Sequence, residues 1–322
     1  MLAAGCGGSS GTGSGGGGGN VKLDLVAYST PAEAYAQLFP AFQATAAGKN
    51  VSFSESYGSS GDQSRAVEAG QSADFVHFAL EPDMKRVVDA GMVDPTWNTG
   101  QYKGKLVNSV VSFIVRKGNP KGIKTWDDLV KPGVEVVIAN PFTSGGARWN
   151  VMAAYGAQIK QGKTPDQAVQ YLYELYKHVK VQDASARDAL ATFTGGRGDV
   201  LLSYENEAIL AEAKGEPVEH LVPDQTILIE TVAADGAKSK HPKEAKAWLD
   251  FLYTPEAQKI FADDGYRPVV PGVTGKYDFP QPATLFTIDD LGGWSDVKTK
   301  FFDEKTGIMA LVEKSIGVST SG

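Results

Sequence analysis

The sequence predicts an α/β fold with two lobes, in which parallel-rich sheets are flanked by helices. Short apolar or alternating stretches recur along the chain, and each is followed by a segment whose apolar residues have helical spacing. Serine, threonine, glycine or proline stands at most of these junctions, where helices begin. The length of 322 residues is enough for two lobes with a sizeable core.

The first strand–helix unit follows residue 20. VKLDLVAYS alternates apolar and polar side chains, as a half-buried strand does, and TPAEAYAQLFPAF comes next. Thr30 is the predicted N-cap of this helix, with Pro31 at its first position and Glu33 completing a capping box. The residues predicted to form the apolar face of the helix are Tyr35, Leu38, Phe39 and Phe42.

The same unit recurs further along the chain. VSFSESYG leads into SSGDQSRAVEAG, where Ser60 and Gln63 have capping-box spacing. VEVVIANP leads into TSGGARWN, VKVQD leads into ASARDALATF with Ser185 as the predicted cap, and DVLLSY leads into ENEAILAEA. This alternation of strands and helices is typical of largely parallel sheets.

Two extended segments are predicted to cross between the lobes and to form the hinge. One is the strand VVSFIVR, which the turn-rich residues 117–133 follow, and the other is TILIETVAADG at 226–236. The predicted division is residues 1–20 ahead of the lobes, 21–112 and 230–322 in lobe one, and 113–229 in lobe two.

The composition excludes several classes of protein. Hydrophobic residues make up 42% of the chain, an ordinary globular value, and no apolar run approaches the ~20 residues of a membrane span. The formal net charge of -7 leaves no basic stripe for a nucleic-acid partner. We therefore expect a soluble, monomeric protein that binds no nucleic acid.

The N-terminal residues contain Cys6, the single cysteine of the chain. One cysteine cannot form an internal disulfide, and a structural zinc site needs several ligands. LAAGC resembles a bacterial lipobox, although Leu2 lies one place further from the cysteine than is usual, and the start looks truncated. We expect Cys6 to carry a lipid anchor, with the glycine-rich residues 7–20 as a flexible tether of roughly 20 Å. The alternative is a stray cysteine in a low-complexity tail.

Small residues at several helix starts suggest an anion site. A helix N-terminus presents unpaired N–H groups and a partial positive charge of about half a unit, and it attracts anions. Ser144, Gly145 and Gly146 would let an anion approach the backbone, as would Ser60 and Gly61. Each junction taken alone is better explained by a simple cap or a tight turn.

Several motifs in fixed order carry a resemblance to a known family. They are YGSSGDQSRAV, ADFVHFALEPD, VVSFIVRKGNPKGIKTWDDLVKPGVEVV, NPFTSGGARWN, GDVLLSYENEA, YRPVV and LFTIDDLGGW. Together they resemble the sulfate- and thiosulfate-binding proteins that deliver an oxyanion to the permease of an ABC importer. The resemblance implies a two-lobed, type II-like periplasmic binding fold that closes on a dehydrated sulfate, without cofactor or metal. It also implies an extracytoplasmic location, in the periplasm or anchored at the membrane surface.

The same resemblance implies a set of site residues that hold sulfate through neutral donors. The residues placed around the anion are Ser29, Ser60, Ser144, Gly145, Gly146, Ala186 and Tyr204. Those placed behind them are Gly61, Arg148 and Arg187, the two arginines being expected to orient loops or pair with carboxylates. At the first junction this chain has Tyr-Ser-Thr-Pro where the family often has Tyr-Asp-Pro, and Tyr204 replaces a tryptophan donor.

Other functions remain alternatives at this stage. A hydrolase is a remote one, because no G-x-S-x-G occurs and the four histidines show no metal or triad spacing. A receptor for phosphate, molybdate or an organic sulfonate is a closer one. Phosphate usually keeps a proton near pH 7 and needs an acceptor in its site, whereas sulfate needs donors only. Asp62 lies close enough to Ser60 in the sequence to supply that acceptor.

Overall fold

A computed structural model describes residues 20–318 as a single sequence of alternating strands and helices. The first elements are β1 (Val21–Tyr28), α1 (Ala32–Gln43), β2 (Val51–Gly58), α2 (Ser60–Glu68), β3 (Phe75–Phe78), α3 (Glu81–Asp89) and β4 (Lys105–Arg116). The central elements are β5 (Val136–Ala139), α4 (Gly145–Lys160), α5 (Pro165–His178), β6 (Val179–Asp183), α6 (Ala186–Thr194), β7 (Val200–Tyr204), α7 (Glu205–Ala213) and β8 (Val218–Leu221). The last are β9 (Gln225–Asp235), α8 (Pro242–Leu252), α9 (Pro255–Asp263), β10 (Arg267–Pro268), β11 (Thr284–Phe286), α10 (Gly293–Phe302) and α11 (Ile308–Ser315).

The strands form two parallel sets joined by two long antiparallel strands. Their order is β2-β1-β3-β9-β4-β7-β5-β6. β1 pairs in parallel with β2 and β3, and β5 pairs in parallel with β6 and β7. Between these sets, β4 and β9 run antiparallel to each other and to their outer neighbours. The predicted α/β fold with parallel-rich sheets and two crossing strands is therefore confirmed.

β4 shows how one strand serves both sets. Residues 105–110 pair with β9, and residues 111–116 pair with β7 and β8. Its side chains are buried along almost the whole length, as expected for a strand covered on both faces. The ladder between β4 and β9 has an irregularity between Lys105 and Val107, near the start of β4.

The predicted apolar face of α1 packs into an aromatic core beside the first parallel set. Tyr35 and Phe42 are both fully or almost fully buried, and Trp248 of α8 packs against both rings. A second core surrounds α4 and α5 and includes the buried indoles of Trp126 and Trp149. Burying a large aromatic side chain removes about 150–250 Å² from water, so these clusters supply much of the driving force for folding.

Two of the predicted helix caps are wrong. α1 begins at Ala32 without a side-chain cap, because the Thr30 hydroxyl bonds to the Tyr266 hydroxyl at 3.0 Å instead. At α2 the cap is Ser59, which accepts from the backbone N–H of Asp62, and not Ser60. At α1 a tertiary partner therefore replaces the predicted cap, whereas at α2 the neighbouring serine caps the helix and the Ser60 hydroxyl bonds to Asp83.

Two other caps follow the local pattern. Ser185 caps α6, as predicted, by accepting from the backbone N–H of Asp188 at 3.1 Å. Ser144 caps α4 in the same way, through the N–H of Ala147 at 3.3 Å.

The C-terminal segment packs differently from the predicted division, which placed it in lobe one. β11 pairs with the start of β9, α11 contacts α5, and the ring of Trp294 meets Trp149 of α4 edge to face at 4.7 Å. Residues 284–318 therefore contact elements predicted for lobe two, and α10 also contacts α3 of the predicted lobe one. The lobe boundaries remain predictions.

Cys6 and the glycine-rich segment up to residue 19 lie outside the described residues, as do residues 319–322. Between residues 20 and 318, no helix combines the length and the apolar character that a membrane span requires.

Candidate functional site

The N-termini of α2, α4, α6 and α7 converge on one small cavity between the two parallel sets. It is very small, with only about 10 Å³ open to the centres of water-sized atoms, far below the ~300–1,000 Å³ of sites for drug-sized ligands. The residues lining it are Tyr28, Ser29, Thr30, Gly58, Ser59, Ser60, Ala79, Ser144, Gly145, Gly146, Ser185, Ala186 and Tyr204. The cavity is therefore suited to a ligand of a few heavy atoms.

All seven residues that the sequence placed around an anion line this one cavity. The lining residues that the sequence missed are Tyr28, Thr30, Gly58, Ser59, Ala79 and Ser185. Tyr28 and Gly58 end β1 and β2, and Ala79 directly follows β3. Ligands of open α/β sheets bind at the carboxyl ends of the strands, so this rule could have identified all three from the predicted strands.

The backbone supplies donors from both sides of the cavity. Ser60, Gly145 and Ala186 are the first residues of their helices and Gly146 is the second, so their N–H groups have no acceptor within the helix. Two neighbouring N–H groups are already paired across the cavity edge or within the loop. Gly61 donates to Thr143 O at 3.0 Å, and Ser144 donates to Asn140 O at 2.8 Å.

This pairing corrects one expectation about Ser144. Its backbone N–H was expected to donate to the anion, but it is used by the turn that leads into α4. Its hydroxyl oxygen accepts from the N–H of Ala147, so the hydroxyl proton is left for another acceptor. Ser144 can therefore act through its side chain, whereas Gly145 and Gly146 can act through the backbone.

Ser60 has the opposite division of roles. Its hydroxyl donates to Asp83 Oδ2 at 2.7 Å and accepts from the N–H of Ala79 at 3.0 Å. The only proton of this side chain is thus committed to a carboxylate behind the wall. What Ser60 presents to the cavity is its backbone N–H.

Tyr204 contributes a phenol that is not used elsewhere. Its side chain is almost fully buried, and its hydroxyl makes no hydrogen bond within residues 20–318. A Cβ built on Gly146 would lie 2.7 Å from the ring and 3.0 Å from the hydroxyl, so the glycine is required for this close approach. Burial raises the pKa of the phenol well above its usual range, which keeps the proton available for donation.

Gly145 is small for a different reason. A Cβ at this position would lie 2.7 Å from Ala79 Cβ and 2.9 Å from Leu80 Cδ2, in the loop after β3. Trp149 reaches the same loop and donates to Ala79 O at 2.8 Å. The start of α4 therefore packs directly on the opposite wall, and the structure shows the two sides of the cavity in contact.

No Lys, Arg, Asp or Glu lines the cavity. The carboxylate of Asp62, considered above as an acceptor, is half exposed and pairs with the Ser59 hydroxyl and Arg65. Positive potential at the cavity comes from the helix N-termini, each worth roughly half a unit charge. The arrangement can bind a small anion through neutral donors, and it offers no carboxylate to receive a proton.

Arg187 lies behind the cavity wall and not in it. Its guanidinium donates to Glu33 Oε1 at 2.7 Å, to Thr30 O at 3.0 Å and to Glu207 Oε2 at 2.9 Å. Burial alone would raise the pKa of Glu33, but hydrogen bonds from Arg187 and Lys214 lower it to about 2. Burial raises the pKa of Glu207, and the nearby Arg187 only partly offsets this rise. The network joins α6 and α7 to the start of α1.

Arg148 also lies behind the wall. It donates to Pro141 O at 2.8 Å, and its guanidinium stacks over the Phe302 ring at 5.2 Å. This bond holds the loop that precedes Ser144. Both arginines therefore orient loops in the structure, in keeping with the sequence-based expectation for them.

No metal centre is found in the described part of the chain, where no three His, Cys, Asp or Glu side chains are grouped to hold an ion.

Two sides that meet over a small cavity lined by neutral donors are the arrangement expected of a solute-binding protein. The chain belongs to the family of bacterial extracellular solute-binding proteins, whose model matches residues 23–267.

Three relatives refine this placement. The chain is 45% identical to a sulfate-binding protein of Synechococcus elongatus, over 94% of this chain and 90% of the relative. It is 33% identical to a thiosulfate-binding protein of Pseudomonas aeruginosa, over 86% and 88%. Among solved structures, the sulfate-binding protein SubI of Mycobacterium tuberculosis matches with a TM-score of 0.85 and 45% identity, over 88% of this chain and all of that one. The resemblance noted in the sequence is thereby confirmed.

Replacing Arg187 by methionine should destabilise the protein. The change leaves Glu207, which is 0% exposed, without its cation, and breaking a buried pair in this way costs about 3–5 kcal/mol. In the variant, the pKa of Glu207 in the folded protein would rise further above its unfolded value. The buried carboxyl is then tolerated at low pH, where it is protonated, and the free energy of unfolding decreases as the pH increases. Urea unfolding should show a smaller deficit at pH 5 than at pH 8. The double variant Arg187→Met with Glu207→Gln should recover most of the lost stability. If the single and the double variant are destabilised equally, this account is wrong.

Proposed function

We propose that this protein is the extracytoplasmic substrate-binding component of an ABC importer, and that it binds sulfate or thiosulfate between its lobes. The observation that carries the proposal is the cavity wall, which combines helix N-termini from both sides with hydroxyl donors and has no charged side chain. A dianion that loses its water needs several donors at once, and this wall provides them.

The donors are sufficient in number for useful affinity. They are the N–H groups of Ser60, Gly145, Gly146 and Ala186 and the hydroxyls of Ser144 and Tyr204. A hydrogen bond to a charged group contributes about 1.5–3 kcal/mol, and micromolar binding corresponds to about -8 kcal/mol. Several such bonds, together with the helix dipoles, offset both the ordering cost and the desolvation of the anion. Ser29 lines the same wall and is proposed as a further contact.

The lack of a carboxylate in the wall favours sulfate over phosphate. Near pH 7 phosphate carries a proton, which would need an acceptor, whereas every donor aimed at the cavity suits a fully ionised oxyanion. Molybdate and organic sulfonates are the remaining candidates. A sulfonate would also need room for its organic part, and the cavity leaves only about 10 Å³ open to the centres of water-sized atoms.

Membership of this family supports a proposal about the partners and the location. An extracellular solute-binding protein releases its ligand to the permease of its importer, and we propose that this chain does so as a monomer. Lipidation of Cys6 would hold it at the membrane surface through the glycine-rich segment, although these residues lie outside those described.

Calorimetric titration with sulfate, thiosulfate, phosphate and molybdate tests the proposal. One sulfate or thiosulfate should bind per chain, with an affinity that is the same at pH 6 and pH 8. No group lining the cavity titrates in this interval, because burial raises the phenol pKa of Tyr28 to about 12 and that of Tyr204 well above its usual range. Tighter binding of phosphate than of either sulfur oxyanion would overturn the proposal, as would heat from none of them at millimolar concentration.

Gly145→Val should prevent the lobes from closing while leaving each of them folded. The added Cβ would overlap Ala79 and Leu80, and overpacking of this kind costs about 1–3 kcal/mol, or roughly 5- to 150-fold in sulfate affinity. Gly100→Val is the matched control, since a Cβ at Gly100 meets nothing within 4 Å. Titration and the urea midpoint are measured for both variants. If Gly145→Val shows no cooperative urea unfolding, the glycine is required for folding and not for closure of the lobes.

Tyr204→Phe should weaken sulfate binding by the equivalent of about 1–3 kcal/mol, the cost of leaving a buried charged partner one hydrogen bond short. Tyr204→Trp should keep sulfate binding, because an indole N–H also donates. It should weaken phosphate binding further, because an indole cannot accept a hydrogen bond from a protonated phosphate, whereas a phenol oxygen can. Titrations of the three proteins with both anions at pH 6 and 8 make the comparison. If Tyr204→Phe binds sulfate as tightly as the parent, the phenol is not a ligand.

A further inference from the structure

His77 stands in the middle of β3, and its side chain is fully buried with both ring nitrogens hydrogen-bonded. Nδ1 lies 2.7 Å from the hydroxyl of Tyr35 on α1, and Nε2 lies 2.9 Å from the hydroxyl of Thr231 on β9. The sequence assigned no role to this residue. Its contacts join the helix that follows the Ser29 loop to one of the two crossing strands.

The hydrogen bonds fix the direction in which each proton points. Thr231 Oγ1 donates its single proton to Val107 O at 2.9 Å, because a carbonyl oxygen can only accept. Thr231 must therefore accept from His77, which places the imidazole proton on Nε2. Nδ1 is then an acceptor and receives the proton of Tyr35. One directed chain runs from Tyr35 through His77 and Thr231 to Val107.

This chain ends at a structurally sensitive point. Val107 and Thr231 are paired in the β4–β9 ladder, directly beside its irregularity. Both strands cross between the two parallel sets, so their relative position decides how the opposite walls of the cavity meet. The Thr231 hydroxyl thus fixes a carbonyl at the place where the ladder is least regular.

His77 also supports the cavity wall. The ring of Tyr28, which lines the cavity, stands perpendicular to the imidazole with centroids 4.9 Å apart. Burial raises the pKa of the Tyr28 phenol, and the neighbouring hydroxyls of Thr30, Thr231 and Tyr266 lower it, although none of them makes a hydrogen bond of ordinary geometry with Tyr28 Oη within residues 20–318. The imidazole is therefore one of several neighbours that position this phenol.

We propose that His77, as a neutral imidazole protonated on Nε2, is a positioning residue of the binding site that couples the Tyr28 wall to the crossing strands. It touches no ligand and acts through Tyr28 and Thr231. Burial lowers its pKa to about 3, so it stays neutral across the physiological range and adds no cation behind the site. A site group is held most accurately when the residues behind it are themselves fixed by hydrogen bonds. The proposal rests on the proposed binding of a sulfur oxyanion.

Three variants interrupt the chain at different points while keeping side-chain shape. His77→Phe removes both ring nitrogens, Tyr35→Phe removes the donor to Nδ1, and Thr231→Val removes the acceptor of Nε2. Each should weaken sulfate binding by roughly 3- to 10-fold, the range that one neutral hydrogen bond contributes. His178→Phe is the matched control, because His178 bonds only to Val134 O in the other part of the molecule and should leave affinity unchanged.

A double-mutant cycle separates positioning from simple stability. If His77 acts through Thr231, the variant with His77→Phe and Thr231→Val should bind sulfate no more weakly than His77→Phe alone. Unchanged affinity in all three single variants, with only a lower urea midpoint, would overturn the positioning role. If His77→Phe does not fold, Tyr35→Phe and Thr231→Val still decide the question.

A nuclear magnetic resonance measurement tests the tautomer without any ligand. In protein labelled with ¹⁵N-histidine, the signals that vanish in His77→Phe should show a protonated Nε2, an unprotonated Nδ1 and no titration between pH 5 and 8. A proton on Nδ1, or a charged ring in this interval, would overturn the assignment. If the parent binds neither sulfate nor thiosulfate, the proposed function fails and the positioning role with it, whereas the tautomer is still decided by the spectrum.

Discussion

The constraint on which the rest of the structure depends is that backbone N–H groups from both sides must reach one small cavity. An N–H group is short and fixed, so it can contact a ligand only if nothing larger than a glycine or serine stands beside it. This explains why α2 and α4 begin with such residues, and why α4 packs directly on the loop at Ala79. The two parallel sets must close to bring these helix starts together, and β4 and β9 are the strands that permit it.

The parts of this arrangement that depend on neighbours in the chain could be predicted from the sequence. The strand–helix alternation, the cap at Ser185 and the small residues at the start of α4 are all local patterns. The errors occur where a distant partner competes. Thr30 bonds to Tyr266 and not to its own helix, and α11 packs on α5, far from it in the sequence. No local pattern encodes which of two cores a C-terminal helix will cover, so the predicted division of the lobes stays a prediction.

The charges are arranged so that none of them faces the cavity. Glu205 and Glu207 both lie in the first turn of α7, where they would reduce the positive potential of that helix start. Each is buried and paired with an arginine, Glu205 with Arg267 and Glu207 with Arg187. These pairs are close to neutral and therefore perturb the potential at the cavity less than isolated carboxylates would. The carboxylates in the first turns of α2 and α6 are Asp62 and Asp188, which bond to serine hydroxyls, and Asp62 also pairs with Arg65 near the surface.

The serine hydroxyls of the wall decide which charge state of an anion fits. Three of them donate to a carboxylate behind the wall, and the pairs are Ser59 with Asp62, Ser60 with Asp83, and Ser185 with Asp188. Each bond holds a carboxylate oxygen away from the cavity, so a protonated ligand meets no strong acceptor there. Ser144 differs, because its oxygen accepts from Ala147 and its proton is left to point inward. The same residue type thus removes acceptors at three positions and leaves a free hydroxyl proton at a fourth, an arrangement that suits the fully ionised oxyanion proposed as the ligand.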